Sequence, residues 1–149
     1  MGAIASLILS LIFIPIFQDR VTDFLVENLS QFSFIRKKTS LTGSWTQDWQ
    51  VDGRESITHQ EPELELKQLG HSLVGKFKFS GREYRLRAKI ENGIYVSGTW
   101  FDLYEGPTYH GTFQARIKID GHSVTGKWVG FSSTLSSINT GDWLWQRDI

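Results

Sequence analysis

Hydrophobic and polar residues alternate one by one through most of the chain after residue 40. Gly111, Phe113, Ala115, Ile117 and Ile119 interleave with Thr112, Gln114, Arg116 and Lys118. Tyr84, Leu86, Ala88 and Ile90 interleave with Arg85, Arg87 and Lys89. A period of two belongs to a strand with one buried face, so the apolar set points inward and the cations point outward. Those cations read most simply as a solvated face. Within these stretches the tripeptide glycine–any–aromatic recurs, joining Gly43 to Trp45, Gly75 to Phe77, Gly98 to Trp100, Gly111 to Phe113, Gly126 to Trp128 and Gly141 to Trp143. Residues two apart share a face. A bare glycine beside a large ring suits the inside of a small closed sheet, where bulky and tiny residues alternate to fit the taper.

The pattern predicts eight strands, over Leu41–Val51, Ile57–Leu69, Leu73–Phe79, Glu83–Ile90, Ile94–Tyr104, Tyr109–Ile119, Val124–Leu135 and Gly141–Arg147. Asp52-Gly53, Ser80-Gly81, Asn92-Gly93 and Asp120-Gly121 are hairpin signals between them, and Pro62 implies a bulge or irregular edge. Every connection is short, so sequence neighbours are spatial neighbours. The expected fold is all-β, an eight-stranded antiparallel up-and-down barrel over residues 39–149, preceded by a helical segment over 1–38. A two-sheet sandwich is the alternative, but its crossings need longer links.

Met1 to Phe17 carries no charged residue. As a helix it would span about 25 Å at about 1.5 Å per residue, against about 30 Å of bilayer hydrocarbon. It has neither a basic leader nor a small-x-small cleavage site, so a membrane anchor is the expectation over a signal peptide. Gln18 to Lys38 continues as an amphipathic helix, with Val21, Phe24, Leu25, Leu29, Phe32 and Ile35 on one stripe. Two readings stand for that stripe. It packs against the barrel, or it lies on lipid or meets a second copy of itself. The cluster Arg36-Lys37-Lys38 favours a cytoplasmic barrel by the positive-inside tendency.

The formal charge is zero, so nothing points to binding of polymeric nucleic acid. The chain has no cysteine, which removes disulfides and thiolate metal sites. His59, His71, His110 and His122 are scattered and assemble no metal triad by spacing, and no phosphate loop opens a helix. No catalytic residue, metal or cofactor is assigned, and the chain is read as a non-enzyme.

Candidate chemistry lies where inward positions turn polar. Gln47 and Trp49 continue the phase of Gly43; Asp102 and Tyr104 that of Gly98; Ser132 and Thr134 that of Gly126. These strands run the same way, so their polar ends gather at one mouth, joined by His59, Tyr84, Tyr109 and Asn139, with Arg54 and Arg82 at its turns. Trp49, Tyr84 and Tyr104 are candidates to stack a planar base. Arg54 and Arg82 are candidates for phosphate, and Asp102, Ser132, Thr134 and Asn139 for base edges or hydroxyls. A wetted rim is the plainer alternative for any one of them.

An apolar N-terminal segment, an opening Leu41-Thr-Gly-Ser-Trp45 strand, repeated glycine-x-aromatic strands and a closing Gly141-Asp-Trp-Leu-Trp145 together resemble the two-transmembrane, β-strand-rich effectors of bacterial cyclic-oligonucleotide anti-phage systems (CBASS). The framework also looks like avidins and lipocalins. The first resemblance implies a minimal barrel that senses a cyclic di- or trinucleotide, assembles into a homo-oligomer and disrupts the inner membrane in which it is anchored. That family carries two membrane helices, and this sequence has one apolar run. The second resemblance implies a tethered binder of an apolar small molecule.

Overall fold

The computed structural model describes residues 21–27, 40–51, 59–104, 109–131 and 137–147, with the backbone alone at 59–62. Eight strands follow one another: β1 (Gly43–Trp49), β2 (His59–Leu69), β3 (Ser72–Phe79), β4 (Arg82–Glu91), β5 (Tyr95–Asp102), β6 (His110–Ile117), β7 (Ser123–Phe131) and β8 (Ile138–Arg147). Each pairs antiparallel with the next, and β8 pairs back onto β1, so the sheet closes into the expected up-and-down barrel. Two turns carry the left-handed pair that a tight hairpin needs. They are Ser80 (φ 50°) with Gly81 (φ 76°) and Asn92 (φ 51°) with Gly93 (φ 74°). The predicted strand start at Ile57 and the hairpin at Asp52-Gly53 fall outside the described residues.

The repeating tripeptide fills the interior as its spacing predicts. Trp45, Phe77, Trp100, Phe113, Trp128 and Trp143 are all buried in one cluster. Gly111 sits between Trp100 on β5 and Gly130 on β7. A Cβ on Gly111 would lie 2.6 Å from carbons of the Trp100 ring, so the bare backbone is the seat of that ring. The end reached by the β2–β3, β4–β5 and β6–β7 turns is closed. There Trp45 and Trp145 are buried with Leu41, and Trp45 Nε1 donates to the Leu41 carbonyl at 2.9 Å.

Two expectations are corrected. Ile119 does not point inward. The β6–β7 ladder ends at the Ile117–Val124 pair, and Ile119 stands fully exposed in the turn that follows. Asp120 holds that turn by accepting the backbone N–H groups of His122 (2.8 Å) and Ser123 (3.1 Å), which, His122 foremost, keep its carboxyl below the ordinary range. With no partner strand beyond Ile117, the alternation no longer fixes a face.

The second concerns the outward cations. A helix α1 (residues 21–27) lies along the outer wall of β3 and β4. Asp23 accepts both Arg87 Nε (3.0 Å) and Arg87 Nη2 (2.7 Å), and Glu27 meets Arg85 (3.0 Å) and Lys76 (3.2 Å). Arg85 and Arg87 are therefore half-buried ion-pair partners, not a freely solvated face. Of the two readings of the apolar stripe, packing against the barrel is not the one found over residues 21–27. Val26 is buried, while the predicted stripe residues Val21, Phe24 and Leu25 are exposed. The wall beneath is cationic, so the i, i+4 acids Asp23 and Glu27 face it. Burial pushes the Glu27 carboxyl up, but the Lys76 hydrogen bond and the Arg85 and Lys76 charges outweigh that and hold it below 4.5.

Candidate functional site

At the end opposite Trp45 and Trp145 the barrel opens into an aromatic cup. Trp49 at the end of β1, Phe77 and Phe79 of β3, Tyr84 of β4, Trp100 of β5, Tyr109 before β6, Trp128 of β7 and Trp143 of β8 line a cavity of about 50 Å³. Period two turns the rings of β1, β3, β4, β5, β7 and β8 to the inner face at this end, which is why these elements converge on it. The rings meet edge to face around the wall. Trp49 stands 4.8 Å from Phe79 and 5.9 Å from Trp128, and Trp100 stands 5.9 Å from Trp128 and 5.5 Å from Tyr109. Phe77 stacks on Tyr84 at 5.1 Å. Edge-to-face pairs place positive ring edges on negative faces, which fixes the rings against one another.

Hydrogen bonds hold four of the rings. Trp143 Nε1 donates to the buried Gln47 Oε1 at 3.0 Å, and Trp128 Nε1 donates to the Gln50 carbonyl at 3.0 Å. Tyr84 and Tyr109 share a hydroxyl hydrogen bond. Burial, then the neighbouring Tyr109 and Asp102, push the Tyr84 hydroxyl above its ordinary range, so it stays neutral at any physiological pH. Asp102, fully buried, accepts the Tyr104 N–H at 2.7 Å and meets Arg82 at 3.4 Å. That pair ties the start of β4 to the end of β5 and leaves the Arg82 head partly exposed at the rim.

Of the residues singled out in the sequence, Trp49, Tyr84 and Tyr109 line the cup, with Arg82 and Asp102 at its edge. Tyr104 does not join them. It stands in the turn after β5, 80% exposed. Asn139 is half-buried on β8 opposite Gly130 and is not part of the lining. The backbone of His59 pairs with Trp49; Arg54, Ser132 and Thr134 lie outside the described residues. The expected hydrophilic mouth is thus an aromatic one among the described residues. The barrel is narrow enough for indole rings to fill it, so polar groups are pushed to the edge. Phe77, Phe79, Trp100, Trp128 and Trp143 were missed as site residues. For Phe77, Trp100, Trp128 and Trp143 the signal is the repeating tripeptide, which builds the cup as well as the framework; Phe79 continues the phase of Phe77 two residues on.

A ligand pocket commonly runs to about 300–1,000 Å³, so this cup in its present state takes the edge of one ring and leaves the rest of a ligand outside. Its walls offer apolar faces, two tyrosine hydroxyls and an adjacent guanidinium. Among the described residues no cluster of three metal-ligating side chains occurs. Among them, too, no helix is long and apolar enough to cross a membrane; the apolar run Met1 to Phe17 lies outside them.

No protein-family model and no curated protein matches the chain. Among solved structures it is similar to EF1p2_mFAP2b bound to DFHBI, at 10% identity and a TM-score of 0.58, covering 72% of this chain and 94% of that one. It is also similar to a redesigned beta barrel, at 10% identity and a TM-score of 0.57, covering 78% and 99%. At this identity the likeness is one of fold: a closed β-barrel.

Proposed function

We propose that this chain is a membrane-tethered anti-phage effector of the bacterial inner membrane whose barrel senses a cyclic oligonucleotide. The edge of one base enters the aromatic cup, where Trp49, Trp100 and Trp128 offer ring contact. The phosphates stay outside, within reach of Arg82. The observation that supports this best is the cup itself, an open ring of aromatic side chains with a guanidinium at its edge. The sequence resemblance to the CBASS effectors supplies the ligand class. Binding favours a state in which barrels associate, through differential affinity for that state. A coupling of about 1–3 kcal/mol is enough to shift the assembly.

A second reading, a tethered barrel for a flat apolar molecule, is favoured by the nearly all-carbon lining and the small cavity. Thermal denaturation of the full chain in detergent separates the two. On the first reading at least one cyclic di- or trinucleotide raises the melting temperature by several degrees, and Trp49→Ala or Arg82→Ala removes the shift. If no cyclic nucleotide shifts it while planar apolar dyes do, the second reading replaces the first.

A further inference from the structure

The closed end of the barrel carries a surface that ligand binding at the mouth does not use. Ile94 ends the β4–β5 turn, Tyr95 opens β5, and Ile119 stands in the β6–β7 turn; all three are exposed. The two hairpin tips lie side by side. The Ile117 N–H donates to the Ile94 carbonyl at 2.8 Å, and Tyr95 pairs with Arg116. Ile119, with no packing partner strand and full exposure, is the apex. Tyr95 has Arg116 on one side and Glu91 on the other, Lys89 lies two residues before Glu91, and Lys118 and Asp120 flank Ile119, Asp120 already holding its own turn.

A second observation points the same way. Thr22 and Asp23, at the start of α1, lie beside Ser72, Lys89 and Ser97 near the closed end. Glu27, at its other end, reaches Lys76 and Arg85 nearer the mouth. α1 therefore begins near the closed end, and the first 17 residues of the sequence, Met1 to Phe17, contain no charge. Exposed apolar tips with three cations to two carboxylates beside them, one of those carboxylates engaged in its own turn, suit the boundary between acyl chains and anionic headgroups, where buried apolar area and electrostatic attraction add.

We infer that the closed end, through Ile94, Tyr95 and Ile119 with Lys89, Arg116 and Lys118, is a docking surface for an anionic lipid bilayer. It would hold the barrel with its mouth turned away from the membrane. This rests on the membrane-tether part of the proposed function and adds a definite orientation to it. The natural chain has no cysteine, so single-cysteine variants take an environment-sensitive fluorophore cleanly. Full-length Ile119→Cys and Tyr104→Cys, the second at the mouth end, are labelled and mixed with vesicles of phosphatidylcholine containing one-third phosphatidylglycerol. Flotation reports tethering and an aqueous quencher reports docking. The expected result is that both variants float and that the probe at 119 becomes several-fold less quenchable while the probe at 104 does not. Adding Arg116→Glu and Lys118→Glu restores quenching at 119 without abolishing flotation. If the chain floats with the probe at 119 still fully quenchable, the docking surface is wrong and the tether stands. If the chain does not float, the tether falls and the docking surface falls with it.

Discussion

A methyl group on Gly141 would be driven into the carbonyl oxygen of Gln50, and would lie 3.0 Å from Trp128 Nε1, the group that donates to that same carbonyl. This one glycine lets the segment after β1 close over β8 and hold a wall of the cup. Gly141→Ala is therefore expected to destabilise the barrel by about 2–3 kcal/mol, in the upper range for overpacked sites, read as a lower urea midpoint with unchanged slope. It should also release the indole N–H of Trp128 to exchange. At this scale the sequence was informative about direction and silent about reach. The two-residue spacing put Trp49, Tyr84, Trp100 and Trp128 inward. It carried Tyr104 inward too, because nothing in the alternation marks where β5 gives way to a turn. Ile119 misled for the same reason at the end of β6. An alternating pattern fixes a face only as long as a neighbouring strand is there to pair with it.

Among the elements, the strands were legible and α1 was legible only as a helix. The stripe of Val21, Phe24 and Leu25 left two readings open, a face on the barrel or one on lipid or a second copy; Asp23 and Glu27, outside the stripe, make the ionic contacts with the barrel. The outcome turned on the wall that receives the helix, and the cations of that wall are spread over Lys76, Arg85 and Arg87 in separate strands. Their convergence appears only once β3 and β4 are paired. Asp23→Asn weakens the bidentate contact with Arg87. Breaking a buried ion pair costs about 3–5 kcal/mol; with the Arg87 side chain one-third exposed, about 1–2 kcal/mol is expected here. Hydrogen exchange within 21–27 should accelerate roughly tenfold, with the barrel amides unchanged.

Acid has a related effect on the same helix. Glu27 has a lowered pKa in the folded chain, so its contribution is complete above 4.5, its ordinary value, and is lost as pH falls through the lowered value. Exchange within α1 should therefore be steady from pH 7 down to the mid-4 range and rise below it, after correction for intrinsic rates. No change below that range would remove Glu27 from the docking contact.

The whole molecule has two unlike ends. One is an aromatic cup with Arg82 and Asp102 at its edge; the other is a sealed core of Trp45, Leu41 and Trp145 capped by exposed isoleucines and cations. The closed eight-stranded order could be read from short links and hairpin residues alone, because a meander leaves few other topologies. The aromatic character of the described part of the mouth could not. Whether polar or aromatic groups occupy an opening depends on the barrel's diameter, which is set by closure of all eight strands together and by no single segment.

The six tryptophans fall at known levels along this axis. Trp45 and Trp145 lie at the closed end, Trp143 in the floor of the cup, and Trp49, Trp100 and Trp128 in its wall. Their indole N–H resonances, assigned by single Trp→Phe substitutions in ¹⁵N-labelled full-length protein, can be followed as a cyclic-oligonucleotide panel is titrated. Saturable shifts at Trp49, Trp100 and Trp128, with Trp45 and Trp145 unmoved, are predicted for at least one cyclic di- or trinucleotide. Six resonances that stay in place through the whole panel, or shifts confined to Trp45 and Trp145, would contradict a nucleotide site in the cup.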